Sequence, residues 1–337
     1  MQEIGLLVVV ALVYLFFTTA SRHLPSPGQW NPFLNLDNQI NGISRKLSVY
    51  AIMAVGMTFV IITGGIDISV GAILAMSELS TGLVLQKMPL DSPWYVVLPV
   101  AFLVSMSVGA LCGSLNGFIK SAFRMHPFIV TLATLSMFNG LCVLCFPPSL
   151  PQPRMYYPKV FGNFMRYDMN RDLEIVPAII MLVVVALGAI YLQMMVAGRE
   201  TYAAGGNAEA ARFSGIRVWW VTARVYIIMG VCCGIAAVVE MGRFGSTQTG
   251  AGSGYELKVI ASAVVGGAAL TGGRGTAFGA MLGTLVIAAL ENGILTMQWD
   301  THYTNIIVGA SIVIAVSVDR ISDHLIQKRT RSRVTHA

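Results

Sequence analysis

The sequence predicts an all-α integral membrane protein, a bundle of about ten transmembrane helices with an internal repeat. Three observations carry that reading. Hydrophobic residues make up 55% of the chain and charged residues only 11%, against about 25% charged in soluble domains, and the mean hydropathy is +0.70. The apolar residues come in runs close to the roughly 20 that a spanning helix needs, without the alternation of membrane strands. Finally, TGGIDISVGAIL at 63–74 matches TGGRGTAFGAML at 271–282 at six of twelve positions.

The runs fall at 4–20, 46–62, 69–86, 94–117, 127–146, 174–197, 218–239, 257–270, 276–297 and 303–319. The first is preceded only by Met1, Gln2 and Glu3, without the positive start of a signal peptide, so it reads as a retained helix. A connection at 21–45, containing SPGQWNPF, is placed at the outer surface. The spans 46–62 and 69–86 flank the first glycine copy, with Gly64, Gly65 and Gly71, and the second copy, with Gly272, Gly273 and Gly279, sits between 257–270 and 276–297. Glycine there allows a sharp reversal or a close backbone approach. Both copies fall on the same side by helix count, which implies a parallel relation; a re-entrant copy would invert it. A second echo, Asn116-Gly117 and Asn292-Gly293, follows the two copies.

The connection at 147–173 holds five prolines and five aromatic residues. It reads either as a cap on the outer mouth or as a docking surface for an extracytoplasmic partner. The next connection, GRETYAAGGNAEAARFSGIRV at 198–218, carries its own short helix over Ala208–Ser214. Asn207 is a good N-cap, Glu209 meets the positive end of the helix dipole, and Gly215 is a natural stop, with Gly205 and Gly206 as hinges. So short a helix needs a surface to lie on, and its weak apolar face suits a protein groove better than lipid.

Charged residues inside spans are functional candidates. Asp67 either caps the following helix or lines a path. Glu78 and Glu291 lie well within spans and could line a wet path. Asn292, and Thr134 and Asn139 in PFIVTLATLSMFNG, read as interhelical glue or as path-lining groups. Arg224 is close enough to its helix end to snorkel to the headgroups. Lys and Arg divide almost evenly between the two sides, so charge does not fix orientation, although the tail QKRTRSR favours a cytoplasmic C-terminus.

The net charge of +6 is spread through loops, so nucleic acid is excluded as a partner and the lipid bilayer is the expected one. The five cysteines lie in apolar runs and read as buried helix residues. No lysine follows a glycine, so no P-loop is present, and no HExxH, nucleophile elbow or metal-spaced histidine cluster appears. The chain reads as a transport protein with no catalytic residue, metal site or bound cofactor.

The stretches GGIDISVGAILAMS, PFIVTLATLSMFNGL, AAGGNAEAARFSGIRV, GSTQTGAGSGYELKVIASAVVGGAALTGGRGT and GAMLGTLVIAALENGIL resemble, in order and spacing, the permease subunits of ribose-type sugar ABC importers, from about residue 35 to 320. The resemblance implies one permease domain over 1–337 in the bacterial inner membrane, with both termini and the tail 320–337 in the cytoplasm. It implies a monosaccharide cargo (pentose or hexose), a periplasmic sugar-binding protein, a second permease subunit, identical or different, and cytoplasmic ABC ATPases that hold ATP and Mg. It also assigns ATPase coupling to the loop 198–217 through Gly206, Asn207, Glu209, Ala210, Ala211, Arg212 and Gly215. Glu78 and Glu291 depart from the family pattern, which leaves the sugar open. Other readings are a nucleoside or branched-chain amino acid ABC permease, or a proton-coupled secondary transporter working through Glu78 or Glu291.

Overall fold

The computed structural model describes residues 2–23, 31–145, 158, 161, 175–244, 247, 250–300, 302–311, 313 and 317. The connection 147–173, apart from Pro158 and Phe161, and the tail 320–337 lie outside the described residues. The described residues contain helices and turns but no strand. The main helices are α1 (Gln2–Ala20), α2 (Arg45–Ile62), α3 (Val70–Leu85), α4 (Trp94–Phe123), α5 (Pro127–Cys145), α6 (Val176–Met194), α7 (Val196–Gly206), α8 (Ala208–Phe213), α9 (Val218–Phe244), α10 (Tyr255–Val265) and α11 (Ala277–Thr296). Residues 302–311 are also helical.

Seven of these are long and apolar enough to cross a membrane: α1, α2, α4, α5, α6, α9 and α11. The other three expected spans fare differently. α3 is a shorter apolar helix, and 303–319 is only partly described. The expected span 257–270 is corrected to an 11-residue helix, which rises about 16 Å, roughly half of the hydrocarbon core. It starts from the irregular stretch 250–254, where Gly252 and Gly254 hold positive φ of 72° and 79°. The expected outer loop at 21–45 is also shorter, because a π-helical stretch, Asn38–Ser44, extends α2 at its start. Residues 198–206 form α7 and are not a hinged loop. Cys145 is exposed, unlike the other four cysteines.

α2 is the axis of the bundle, since every residue from Ser48 to Ile62 is buried. A helix apolar on all faces belongs in the interior, and α9, α6, α10 and α11 pack around it. The tightest seam joins α4 to α9. Gly109, Gly113 and Gly117 on α4 face Gly230, Tyr226 and Ala223 on α9, so closely that a Cβ at Gly109 or Gly113 would overlap a backbone carbonyl. Ser105 Oγ donates to the Gly234 carbonyl across the same seam at 2.7 Å. Small residues at four-residue spacing bring backbones together where lipid supplies no hydrophobic drive between helices.

Gly109→Leu is expected to lower the melting temperature of the detergent-purified protein, because overpacking costs about 1–3 kcal/mol. Gly140→Ala, where an added Cβ meets nothing within 4 Å, should not lower the scanning-fluorimetry melt, since alanine favours a helix interior over glycine.

Candidate coupling joint and translocation path

The glycine loops that precede α3 and α11 meet at one end of the bundle, against the C-terminus of α7. Gly273 N donates to the Ile62 carbonyl at 2.8 Å. A Cβ at Gly205 would overlap that same carbonyl, and one at Gly272 would press on the Gly205 oxygen at 2.7 Å. Two of the three pairs of corresponding glycines are alike in their backbone or their packing. Gly64 and Gly272 both hold positive φ, 72° and 88°. Gly71 and Gly279 each open a helix against the carbonyl of another glycine, Gly252 and Gly266 respectively. Gly273 has positive φ as well, 77°, whereas Gly65 does not; a Cβ at Gly65 would press on the Tyr226 hydroxyl at 2.9 Å. The asparagine echo places its members differently: Asn116 bonds Asp67 and Ser69, while Asn292 bonds Asn38 before α2, at the far end of that helix from Ile62.

α8 follows directly from α7. The Asn207 side chain accepts from Glu209 N at 3.0 Å and Ala210 N at 2.9 Å. Gly215, at φ 85°, turns the chain into α9. Ala211 is buried and Phe213 is 87% exposed, so α8 presents an apolar side chain to solvent. Arg224 does not reach outward as the sequence suggests. Its guanidinium bonds Glu200 Oε2 at 3.1 Å and the Ala197 carbonyl at 2.8 Å, and it lies over the Tyr191 ring. A nearby carboxylate and carbonyl out-compete headgroups that the side chain would have to stretch to reach. This pair ties α7 to α9.

The polar groups expected along a path separate into several places. Asp67 is fully buried; its Oδ1 accepts from Ser69 N and Ser69 Oγ at 2.9 and 2.6 Å, and Asn116 Nδ2 donates to Oδ2 at 3.2 Å. Glu78 is buried on α3. Thr134 is buried on α5 and donates to the Thr131 carbonyl. Asn139 lies on the exposed face of α5. Glu291 accepts from Lys258 Nζ at 2.8 Å and faces Lys46 at 3.8 Å. Lys258 also donates to Tyr50 Oη at 3.2 Å. Tyr50 stacks edge-on against Tyr255, whose hydroxyl donates to Glu240 Oε1 at 2.6 Å. Beside this chain of charges and phenols, the starts of α3 and α10 meet where Gly71 touches Gly252. Broken helices with irregular backbone inside the protein are the architecture of solute sites at membrane depth.

A family model described as branched-chain amino acid transport system / permease component matches residues 39–316. The chain belongs to this permease family. The permease is 38% identical to a ribose import permease protein of Bacillus subtilis (strain 168) over 294 residues, 86% of this chain and 87% of the relative. Identity to a D-allose transport system permease protein of Escherichia coli (strain K12) is 35% over 287 residues, 84% of each chain. A ribose import permease protein of Escherichia coli (strain K12) is 34% identical over 319 residues, 94% of this chain and 92% of the relative. No solved structure matches the permease.

Sequence reasoning missed Lys258, Lys46, Tyr50, Tyr255 and Glu240 of the buried polar network, and Glu200, the partner of Arg224. Lys258 was visible as a lysine inside an apolar run, the signal that marked Glu291. Glu240 stands one residue past the expected end of its span, on a helix that continues to Phe244.

Lys258→Met alone removes the nearest cation from a Glu291 whose side chain is only 13% exposed. Such half-broken pairs cost about 3–5 kcal/mol, read as a lower thermal midpoint. Lys258→Met/Glu291→Leu is expected to recover most of that loss in the same assay.

Proposed function

We propose that this chain is the membrane-spanning permease subunit of an ATP-binding cassette importer, moving a monosaccharide handed over by a periplasmic binding protein. The observation that carries the reading is the joint at Ile62, where the end of α7 and both glycine loops share one contact. Family membership and the names of the ribose and allose relatives support the sugar class. ATP and Mg belong to the partner ATPase.

The end of the bundle that carries α8 faces the cytoplasm. Glu3, at the start of α1, accepts from Thr276 at that same end at 3.4 Å, which supports a cytoplasmic N-terminus; the same reading puts the C-terminus there. Residues Gly206, Asn207, Glu209, Ala210, Ala211, Arg212 and Gly215 form or flank the helix that the ATPase grips. When the ATPase pair closes, displacement of α8 carries α7 with it. α7 in turn bears on α2 and the α11 loop through Gly205, and on α9 through Glu200 and Arg224. These are the helices around the junction of α3 and α10, so a push at the coupling end tilts the walls of the path.

Two such subunits enclose the path, and the exposed face of α5 with Asn139 is available to a second copy. Of the polar groups, Glu291 belongs to the Tyr50–Lys258 network, and in this reading Asp67, Glu78, Thr134 and Asn292 are separate weak hydrogen-bonding stations for hydroxyls. A tight site would slow release, so discrimination rests with the binding protein. The three further helical segments, α3, α10 and 303–319, bring the count of membrane-embedded segments to about ten, and the two glycine copies mark an internal duplication of parallel sense.

Proteoliposomes reconstituted with this chain, its ATPase and its binding protein should take up labelled ribose or allose only with ATP and all components present. Uptake by this chain alone, driven by a pH gradient and indifferent to ATP, would overturn the reading; uptake of a nucleoside or leucine instead would reassign the cargo. Asn207→Ala removes a cap worth about 1 kcal/mol and should lower ATPase co-purification and uptake severalfold, with membrane insertion unchanged on a blot.

A further inference from the structure

A cavity of about 900 Å³ opens at the α8 end, between the last turn of α4, the turn after α8 and the first turn of α9. Its lining brings together Lys120, Arg124, Arg212 and Arg217 and includes no carboxylate. Lys120 is half-buried, its ammonium 5.4 Å from the centre of the Tyr226 ring. Arg124 holds φ 52°, the left-handed conformation that glycine or asparagine normally takes at a helix end. A bulky side chain is uncommon in that conformation.

A second groove, of about 400 Å³, adjoins this cavity and shares Ser121, Ala122 and Trp219 with it. Its walls are otherwise almost wholly apolar, with Phe118, Trp220, Ala223 and Ile227 among them. On α4 the lining runs from Ala122 back to Ser114, and on α9 from Trp219 on to Ile227. At 1.5 Å per residue each stretch covers about 12 Å along the helix axis. Phe118, Trp219 and Trp220 are 64%, 57% and 46% exposed, at the level where tryptophan marks the membrane interface.

We infer that the cavity and groove together bind an anionic phospholipid, with the phosphate among Arg124, Arg217, Arg212 and Lys120 and an acyl chain along Phe118, Trp219 and Ile227. Charge complementarity and shape select this occupant. A free phosphate would leave the apolar groove unfilled. An acidic surface of the ATPase could meet the cations but could not follow the groove along two membrane-spanning helices. Because the site sits between α4, α8 and α9, the lipid would brace the coupling helix against the bundle.

The test is native mass spectrometry of the full-length detergent-purified chain, titrated with dioleoylphosphatidylglycerol and dioleoylphosphatidylcholine, with glycerol 3-phosphate as competitor. The wild type should retain phosphatidylglycerol about tenfold better than phosphatidylcholine, and millimolar glycerol 3-phosphate should not displace it. Arg124→Gln/Arg217→Gln should bring the ratio near one, and Phe118→Ser/Trp219→Ser should weaken retention of both lipids. Arg124→Gly removes the same charge while relieving the left-handed backbone, so it should lose several-fold preference without a drop in melting temperature. Arg199→Gln, at the same end but outside the cavity, is the control and should match the wild type. An unchanged ratio in Arg124→Gly would sink the proposal, as would full displacement by glycerol 3-phosphate, which would make this a free-phosphate site. A variant that keeps the lipid ratio but no longer co-purifies the ATPase would assign the cations to that protein instead.

Discussion

The structure depends on how one carbonyl is satisfied. The last carbonyls of a helix have no partner within the helix, and Ile62 is fully buried, where leaving a backbone group unsatisfied costs about 1–3 kcal/mol. At the end of α2, Thr63 and Gly64 fold back onto Phe59, Val60 and Ile61, and the Ile62 carbonyl is left to a distant donor, Gly273 N. That bond forms only because the backbones at 205 and 272 can approach without side chains. One requirement of hydrogen bonding therefore places three segments, far apart in sequence, in a single contact. The contact lies where the permease reading needs force to enter.

A second constraint acts deeper in the bundle. Lys258 and Glu291 are each less than a fifth exposed, and charges so placed persist only with partners and further hydrogen bonds. Tyr50, Tyr255 and Glu240 extend the pair from α10 and α11 to α2 and α9. The network thereby links helices that α7 reaches from the α8 end. It also lies beside two helix starts that face each other through glycine, so rigid charge pairing and open backbone adjoin.

Much of this was legible in the residues. Apolar runs located most of the spans because backbone hydrogen bonding leaves helices as the solution for such runs in lipid. Asn207, Glu209 and Gly215 marked a short helix through local capping chemistry, which needs no tertiary partner. The GxxxG-like seam of Gly109, Gly113, Gly230 and Gly234 was present in the sequence, but spacing alone names no partner helix. The run at 257–270 misled because apolar character measures burial, and α10 is largely buried by protein although it is only 11 residues long.

By itself, the sequence determined an α-helical membrane protein with two glycine-rich breaks and a capped helix between spans, since hydropathy, backbone freedom and capping act within a few residues. Only the tertiary structure decided that Arg224 turns to Glu200, that Glu291 answers Lys258, and that the two breaks meet at Ile62. Those outcomes depend on which distant groups come within bonding distance, and that is fixed by the packing of whole helices and not by any local stretch.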